Sequence, residues 1–167
     1  MKINSKNSGF TLIELIIYIA IVSIILVSIS YLMIDILKGS VSSIAKTEVN
    51  HNIRLLVWQL NKDIHGAAAV KDISAESLTL QLSDGHELKY FFDLEAKKLI
   101  SQLDGGQLIQ VHSDDINVEG DFSSLSFMDK TKGVDVNLII SYKNPSGRQE
   151  YDASANVNLG VELYGRR

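Results

Sequence analysis

The hydrophobic and polar positions divide the chain into an apolar segment near its beginning and a longer part of mixed composition. Between Phe10 and Ile34 the only charged residue is Glu14, and Ile, Leu and Val dominate. An α-helix rises about 1.5 Å per residue, so such a segment would reach roughly 30 Å, the thickness of the hydrocarbon core of a bilayer. The pattern predicts a membrane-spanning helix over residues 10–34.

A helical pattern continues beyond this apolar segment. No proline interrupts residues 35–65, and apolar side chains recur there at spacings of three to five. They are Val41, Ile44, Val49, Ile53, Leu56, Leu60 and Ile64. The spacing predicts an amphipathic helix that ends near Gly66, because glycine commonly closes helices, and we assign residues 35–69 to this continuation.

Residues 70–167 show the alternation of apolar and polar positions that is typical of β-strands. The expected strands are residues 78–82, 88–94, 97–103, 108–111, 116–118, 125–127, 134–142 and 151–163. Asp84-Gly85 is a hairpin-turn signal between the first two. A long helix followed by antiparallel strands predicts the α+β fold class, with the amphipathic stripe of the helix packed on one sheet face.

Composition narrows the classes of function. The 167 residues fit one domain with an appendage. The formal net charge of −4 argues against a nucleic-acid binder, which normally needs a basic surface. Because the chain has no cysteine, it can form neither disulfides nor thiolate metal sites.

Three interpretations compete for the N-terminal segment. A secretory signal would use Ser28-Ile29-Ser30 as its cleavage site, but the apolar run continues beyond that point. A plain membrane anchor leaves Glu14 unexplained, because an acidic side chain deep in a bilayer costs about 2.5–3.5 kcal/mol on insertion scales. The third interpretation rests on the residues around Glu14.

The segment Gly9-Phe10-Thr11-Leu12-Ile13-Glu14 resembles the prepilin peptidase site of type IV pilins and type II secretion pseudopilins. The resemblance implies that residues 1–9 are a leader, that cleavage falls between Gly9 and Phe10, and that the new amine of Phe10 is methylated. The apolar helix is then retained. Lys2 and Lys6 precede it, so the positive-inside rule places the N-terminus in the cytoplasm and residues 70–167 outside the membrane.

The resemblance also implies a role for Glu14. Its carboxylate would pair with the N-terminal amine of a neighbouring subunit and set the register of a filament. The alternative is that Glu14 lies at headgroup depth near the helix start, where the helix dipole favours an acid. Expected partners are prepilin peptidase, other pilin or pseudopilin subunits and an assembly platform protein. A lollipop-shaped subunit without a cofactor is expected.

Two details resemble minor subunits of this family. Major pilins commonly carry a proline in the region of the membrane helix where Ser28, Ser30 and Tyr31 stand here. The segment Ile53–Ile64 and the strand pattern after it resemble J-type pseudopilins and W-type minor pilins. J-type subunits are thought to help form the filament tip. The machine could serve secretion, twitching, DNA uptake or adhesion.

Other candidate chemistry is weaker. Ser43 and Lys46 match a Ser-x-x-Lys pattern by chance, and the four histidines show no metal-ligand spacing. Asp114, Asp115, Glu119 and Asp121 form an acidic cluster that we interpret as a solvated loop rather than a calcium site. Trp58 is expected to anchor the core. We expect that the protein is not an enzyme. The alternative to a filament subunit is a membrane-tethered exported module that contacts DNA or a secreted substrate.

Overall fold

The computed structural model describes residues 11–127 and 130–163, and they form one long helix followed by eight strands. Helix α1 spans Leu12–Gly66, 55 residues. The strands are β1 (Ala67–Ile73), β2 (Ser77–Leu82), β3 (Glu87–Asp93), β4 (Lys98–Leu103), β5 (Leu108–Gln110), β6 (Ile116–Phe127), β7 (Lys130–Tyr142) and β8 (Ser154–Glu162), with a 3-10 helix at Gln149–Tyr151 before β8. The predicted α+β class is confirmed.

The chain divides into two compact units, Met1–Ser40 and Val41–Arg167. The described part of the first unit is α1 up to Ser40, preceded by Thr11. Its side chains from Thr11 to Ser40 are exposed throughout. The second unit contains the rest of α1 together with all eight strands, and it holds the hydrophobic core.

The strands form two antiparallel sheets rather than the single sheet that the sequence suggested. The first has the order β1-β2-β3-β4-β5 and the second the order β6-β7-β8. The predicted hairpin at Asp84-Gly85 joins β2 to β3, with Leu80 opposite Leu88. Gly85 has a φ of 93°, a conformation that glycine adopts at no steric cost.

The core lies between the second part of α1 and the inner faces of both sheets. The helix contributes Leu56, Leu60 and Ile64, each fully buried. The first sheet contributes Leu78, Leu80, Tyr90, Phe92 and Leu99, and the second contributes Ile116, Val118, Phe122, Val134, Val136, Leu138 and Ile140. These residues form one hydrophobic cluster, so the predicted packing of the amphipathic stripe on β-structure is confirmed.

The predicted stripe is wrong at one position and incomplete at two. Ile44 is 61% exposed, and the neighbouring Ala45 is buried in its place. Asn52 is 1% exposed although it is polar. The 100° step per residue puts position 45 on the same face as 49, 52 and 56, and hydrophobicity alone favoured the larger Ile44 and passed over Asn52.

Two strand predictions are also wrong. Residues 116–118 and 125–127 belong to one continuous strand, β6, because the intervening Gly120, Ser123 and Ser124 hide the alternation. Strand β1 was not predicted at all, since its first residues are three alanines. Gly66 ends α1 but does not adopt a left-handed φ, so the helix passes directly into β1.

Strand β6 connects the two sheets. Its Val118 N–H donates to the Lys97 carbonyl at 2.8 Å and its Phe122 N–H to the Ala75 carbonyl at 3.0 Å, at the β3–β4 and β1–β2 turns. At Gly120 a Cβ atom would lie 2.0 Å from the Asn137 carbonyl oxygen and 3.0 Å from the Phe92 ring. Only glycine permits this close approach.

Candidate functional site: the N-terminal helix and its attachment

The start of α1 carries a helix cap that includes Glu14. The Thr11 carbonyl accepts a hydrogen bond from the Leu15 N–H at 3.2 Å, and the Thr11 hydroxyl accepts one from the Glu14 N–H at 3.3 Å. Thr11 is therefore the N-cap residue and Glu14 the third residue of the helix. The sequence analysis missed this role of Thr11, although the spacing Thr-x-x-Glu is the capping-box signal.

Glu14 lies on the exposed surface of the first turn. It forms no ion pair with any residue that the structure describes. The positive end of the helix dipole favours a carboxylate at this position. Gly9 and Phe10, the expected cleavage and methylation positions, lie outside the described residues. The pairing of Glu14 with an amine therefore stays an expectation.

The first part of α1 presents apolar side chains on every side. From Leu12 to Leu37 its large hydrophobic residues are 47% to 77% exposed. Full burial of one such side chain contributes about 1.5–3 kcal/mol, so exposure of the whole run to water would be very unfavourable. The helix is long and apolar enough to cross a membrane. The segment needs lipid or other apolar helices around it.

The serines in this apolar segment are compatible with a lipid environment. Ser23, Ser28 and Ser30 each donate to the carbonyl four residues earlier in α1, at 2.7–2.8 Å. Each hydroxyl donor is therefore satisfied within the helix and needs no water. Ser28 and Ser30, the small residues of the secretory-signal interpretation, lie inside this helix.

A hydrogen-bonded tyrosine attaches the C-terminal end of α1 to the first sheet. The hydroxyl of Tyr90 on β3 donates to Asp63 Oδ2 at 2.5 Å and accepts from Gln59 Nε2 at 3.3 Å. Tyr90 is fully buried. Burial, and next the hydrogen bond to Asp63, raises the pKa of the Tyr90 hydroxyl well above its usual range. The hydroxyl thus stays protonated and keeps its role as a donor.

A second polar cluster attaches α1 about three turns earlier, and it contains the buried Asn52. The Ser113 N–H donates to Asn52 Oδ1 at 2.9 Å, and the Asn52 amide donates to Glu48 Oε1 at 2.9 Å. The Ser113 hydroxyl donates to the same Glu48 oxygen at 2.9 Å. Every polar group of this cluster has a partner, so Asn52 fixes the helix against the loop between β5 and β6.

His112 continues this cluster. Its Nε2 accepts a hydrogen bond from the Leu99 N–H at 3.2 Å, so the imidazole is neutral and its Nδ1 donates to the Ser113 carbonyl at 2.9 Å. Burial lowers the pKa of His112 below its usual 6.5, and the charges of Lys143 and Lys98 lower it further, while the Ser113 carbonyl and Asp114 oppose the shift. The neutral form is therefore part of the fold.

The remaining candidates are dispersed. Trp58 was expected to anchor the core, but it is 63% exposed, and the Lys62 ammonium lies 5.2 Å from its ring centroid. Within the acidic cluster, Glu119 pairs with Lys97 at 2.8 Å and Asp121 accepts from the Asn137 amide at 3.2 Å. No group of three potential metal ligands occurs among residues 11–127 and 130–163.

Comparison with known proteins identifies the N-terminal segment. Residues 4–30 match the family model described as the prokaryotic N-terminal methylation motif. No curated protein and no solved structure matches the chain. The motif match supports the type IV pilin and pseudopilin family. It also supports a structural subunit rather than an enzyme, and it gives no support to the exported binding module considered as the alternative.

The motif also bears on processing and location. It implies processing by prepilin peptidase and assembly with other pilins. Together with the exposed apolar part of α1, it supports a membrane-anchored protein that crosses the bilayer once.

Proposed function

We propose that this chain is a minor subunit of a type IV pilus or a type II secretion pseudopilus. Prepilin peptidase cleaves it between Gly9 and Phe10 and methylates the amine of Phe10, and the retained helix enters the filament. The observation that carries this proposal is the exposed apolar first part of α1, which begins inside a matched methylation motif. In a filament subunit, the motif would direct processing and the exposed apolar helix would pack against the helices of other subunits.

Glu14 then supplies the one charge in the apolar helix, and the amine of a neighbouring subunit's Phe10 neutralises it. Phe10 directly precedes the N-cap residue Thr11 in the sequence, so the new terminus lies two residues before Leu12, the first residue of α1. An unpaired carboxylate in an apolar environment is unfavourable, and a neighbouring amine can neutralise it only when the two helices have one particular axial offset. The pair therefore sets the axial position of each subunit.

The minor-subunit part of the proposal rests on the end of α1. The resemblance to J-type pseudopilins and W-type minor pilins lies in Ile53–Ile64 and in the tyrosine-bearing strand that follows. The hydrogen bond from Tyr90 to Asp63 joins these two features. The helix end and the tyrosine on the strand thus act together to attach α1 to the first sheet, which supports an architecture shared with these minor subunits.

The proposed location follows from the same features. The N-terminus faces the cytoplasm, and the unit that starts at Val41 is exported to the periplasm or the cell exterior. An assembly platform protein in the membrane would receive the processed subunit. The exposed apolar surface of α1 supplies the area over which membrane partners can bind.

The first experiment tests processing. The full chain is co-expressed with a prepilin peptidase and the product is examined by mass spectrometry. We expect an N-terminus at Phe10 that carries a methyl group. An intact Met1 would contradict the proposed maturation, and an end near Tyr31 would indicate an ordinary secretory signal.

The second experiment separates charge pairing from helix capping. Glu14→Ala and Glu14→Gln remove the charge, while Thr11→Ala removes the cap and leaves the charge. We expect all three variants to insert into the membrane and to be cleaved, but only the two Glu14 variants to assemble poorly into filaments that contain the partner subunits. Normal assembly of Glu14→Gln would contradict the pairing role.

A further inference from the structure

A pocket lies at the end of the second sheet, beside the loop that joins β7 to β8. Its volume is about 470 Å³, and it is lined by Asp115, Tyr142, Lys143, Ser146, Arg148 and Tyr151, with Pro145. This volume is within the range of about 300–1,000 Å³ that is typical of small-molecule sites.

The loop beside the pocket is held in one conformation by Asn144. Asn144 Oδ1 accepts from the Arg148 N–H at 3.1 Å and from the Ser146 hydroxyl at 3.2 Å. Its amide donates to the Arg148 carbonyl at 2.8 Å and to Asp152 Oδ1 at 2.7 Å. Because these bonds order the loop before any ligand arrives, little conformational entropy remains to be lost on binding.

Two tyrosines give the pocket an aromatic surface. The rings of Tyr142 and Tyr151 are nearly parallel, with an angle of 10° between their planes and 6.0 Å between their centroids. Both side chains are half-buried, so part of each ring remains accessible. Flat aromatic faces bind C–H groups and apolar rings through dispersion, and the hydroxyl groups can form hydrogen bonds.

The charged groups of the pocket are available for a ligand. Lys143 and Arg148 supply two cations and Asp115 one carboxylate, and none of the three forms an ion pair with a residue that the structure describes. Arginine binds carboxylates through two parallel hydrogen bonds. The lining residues thus carry two positive charges and one negative charge.

We propose that this pocket binds an acidic saccharide. The carboxylate of a uronic acid binds Arg148 and Lys143, its ring packs on the tyrosines, and its hydroxyl groups donate to Asp115. An acidic peptide fits less well, because its carboxylate side chains bring neither a ring to pack on the tyrosines nor hydroxyl donors for Asp115. The site is independent of the proposed filament role.

Binding is tested on the full chain in detergent micelles by isothermal titration with digalacturonate. Charge-assisted hydrogen bonds are stronger than neutral ones, so we expect the neutral disaccharide digalactose to bind at least about tenfold more weakly. Arg148→Gln should weaken digalacturonate binding by a similar factor. Arg54→Gln, which changes an exposed arginine on α1, is the matched control and should leave binding unchanged.

The aromatic contribution is tested with Tyr151→Ala, which removes the ring and should weaken the binding of both disaccharides more than Tyr151→Phe, which keeps it. Circular dichroism establishes that both variants fold. Equal binding of the acidic and neutral sugars would overturn the proposal, as would no binding of digalacturonate. Tighter binding of the acidic peptide acetyl-Asp-Gly-Asp-amide would also overturn it and would assign the pocket to a protein ligand.

Discussion

The two parts of α1 are built from similar apolar residues but have opposite surroundings. Up to Ile34 the helix is apolar on all sides apart from Glu14, and its side chains are exposed as far as Ser40. From Val41 onwards the buried residues are confined to one face: Ala45, Val49, Asn52, Leu56, Leu60 and Ile64. A one-sided stripe can be covered by the sheets of the same chain, whereas a helix that is apolar all round needs lipid or other molecules.

The sharpest test of this difference is a pair of leucine truncations. Leu60 is fully buried and Leu26 is 59% exposed. Leu60→Ala should destabilise the second unit by about 2–5 kcal/mol, because it leaves a cavity in the core. Leu26→Ala should change its stability by less than about 0.5 kcal/mol. Urea unfolding of the full chain in detergent, followed by circular dichroism, measures both changes in stability. Similar losses of stability in the two variants would contradict the difference between the two parts of α1.

The next prediction concerns the polar attachment of the helix. Asn52→Ala removes the acceptor of the Ser113 N–H and the donor to Glu48, so it should cost about 1–3 kcal/mol. Asn50→Ala, two residues earlier on the exposed face, should cost less than about 0.5 kcal/mol. The same unfolding assay applies, and an Asn52 variant as stable as the Asn50 variant would show that the cluster is dispensable.

Trp58 tests whether the exposed face of the second part contributes to stability. The indole is 63% exposed and contacts the Lys62 ammonium, and an exposed cation–π pair is worth about 0.5–1 kcal/mol. Trp58→Ala should therefore cost no more than about 1 kcal/mol in urea unfolding. A loss of about 3–5 kcal/mol would be that of a buried aromatic residue and would restore the original expectation of a core anchor.

The smallest expected effect is a change in the pH dependence of the free energy of unfolding. Because the folded state lowers the pKa of His112 below 6.5, the unfolded chain binds more protons between these two values. The contribution of neutral His112 to the free energy of unfolding is complete above pH 6.5, and it is lost as the pH falls towards the pKa of the folded state. Unfolding free energies measured from pH 7.5 to 5.5 should decrease more steeply for the unmodified chain than for His112→Gln.

His86 acts in the opposite direction and serves as an internal check. Its hydrogen bond to Asp104, at 2.5 Å, and next the charge of that carboxylate raise the pKa of His86. Its stabilisation is complete below pH 6.5 and is lost as the pH rises through the folded pKa. His86→Gln should therefore make the loss at low pH steeper. His51→Gln, on the exposed face of α1, serves as the matched histidine substitution.

The features predicted from sequence are those set by regular periodicity. The alternation of Leu78 and Leu80 with Thr79, and the Asp84-Gly85 turn, predicted β2 and β3 correctly because each residue has the same role in the local pattern and in the core. The long helix was predicted because nothing interrupts it before Gly66. The Thr-x-x-Glu cap at Thr11 was also readable from sequence, and it was passed over.

The features that the sequence did not predict depend on contacts between distant residues. Asn52 is buried because Ser113 satisfies it, and these residues are far apart in the chain. The close approach of β6 to the Phe92 ring of the first sheet requires Gly120, which has no periodic signal. Similarly, the pocket brings Asp115 together with residues around the β7–β8 loop, although each of them looked like an ordinary surface residue.

The internal hydrogen bonds of Ser23, Ser28 and Ser30 have a mechanical consequence. Because each hydroxyl donates to a carbonyl of its own helix, a neighbouring helix that moves along this segment finds no free hydroxyl hydrogen at these three positions. These serines therefore do not favour any one axial position of the neighbouring helix. In the proposed filament, Glu14 would therefore be the one charged group between Leu12 and Ile34 that distinguishes one axial position of a subunit from another.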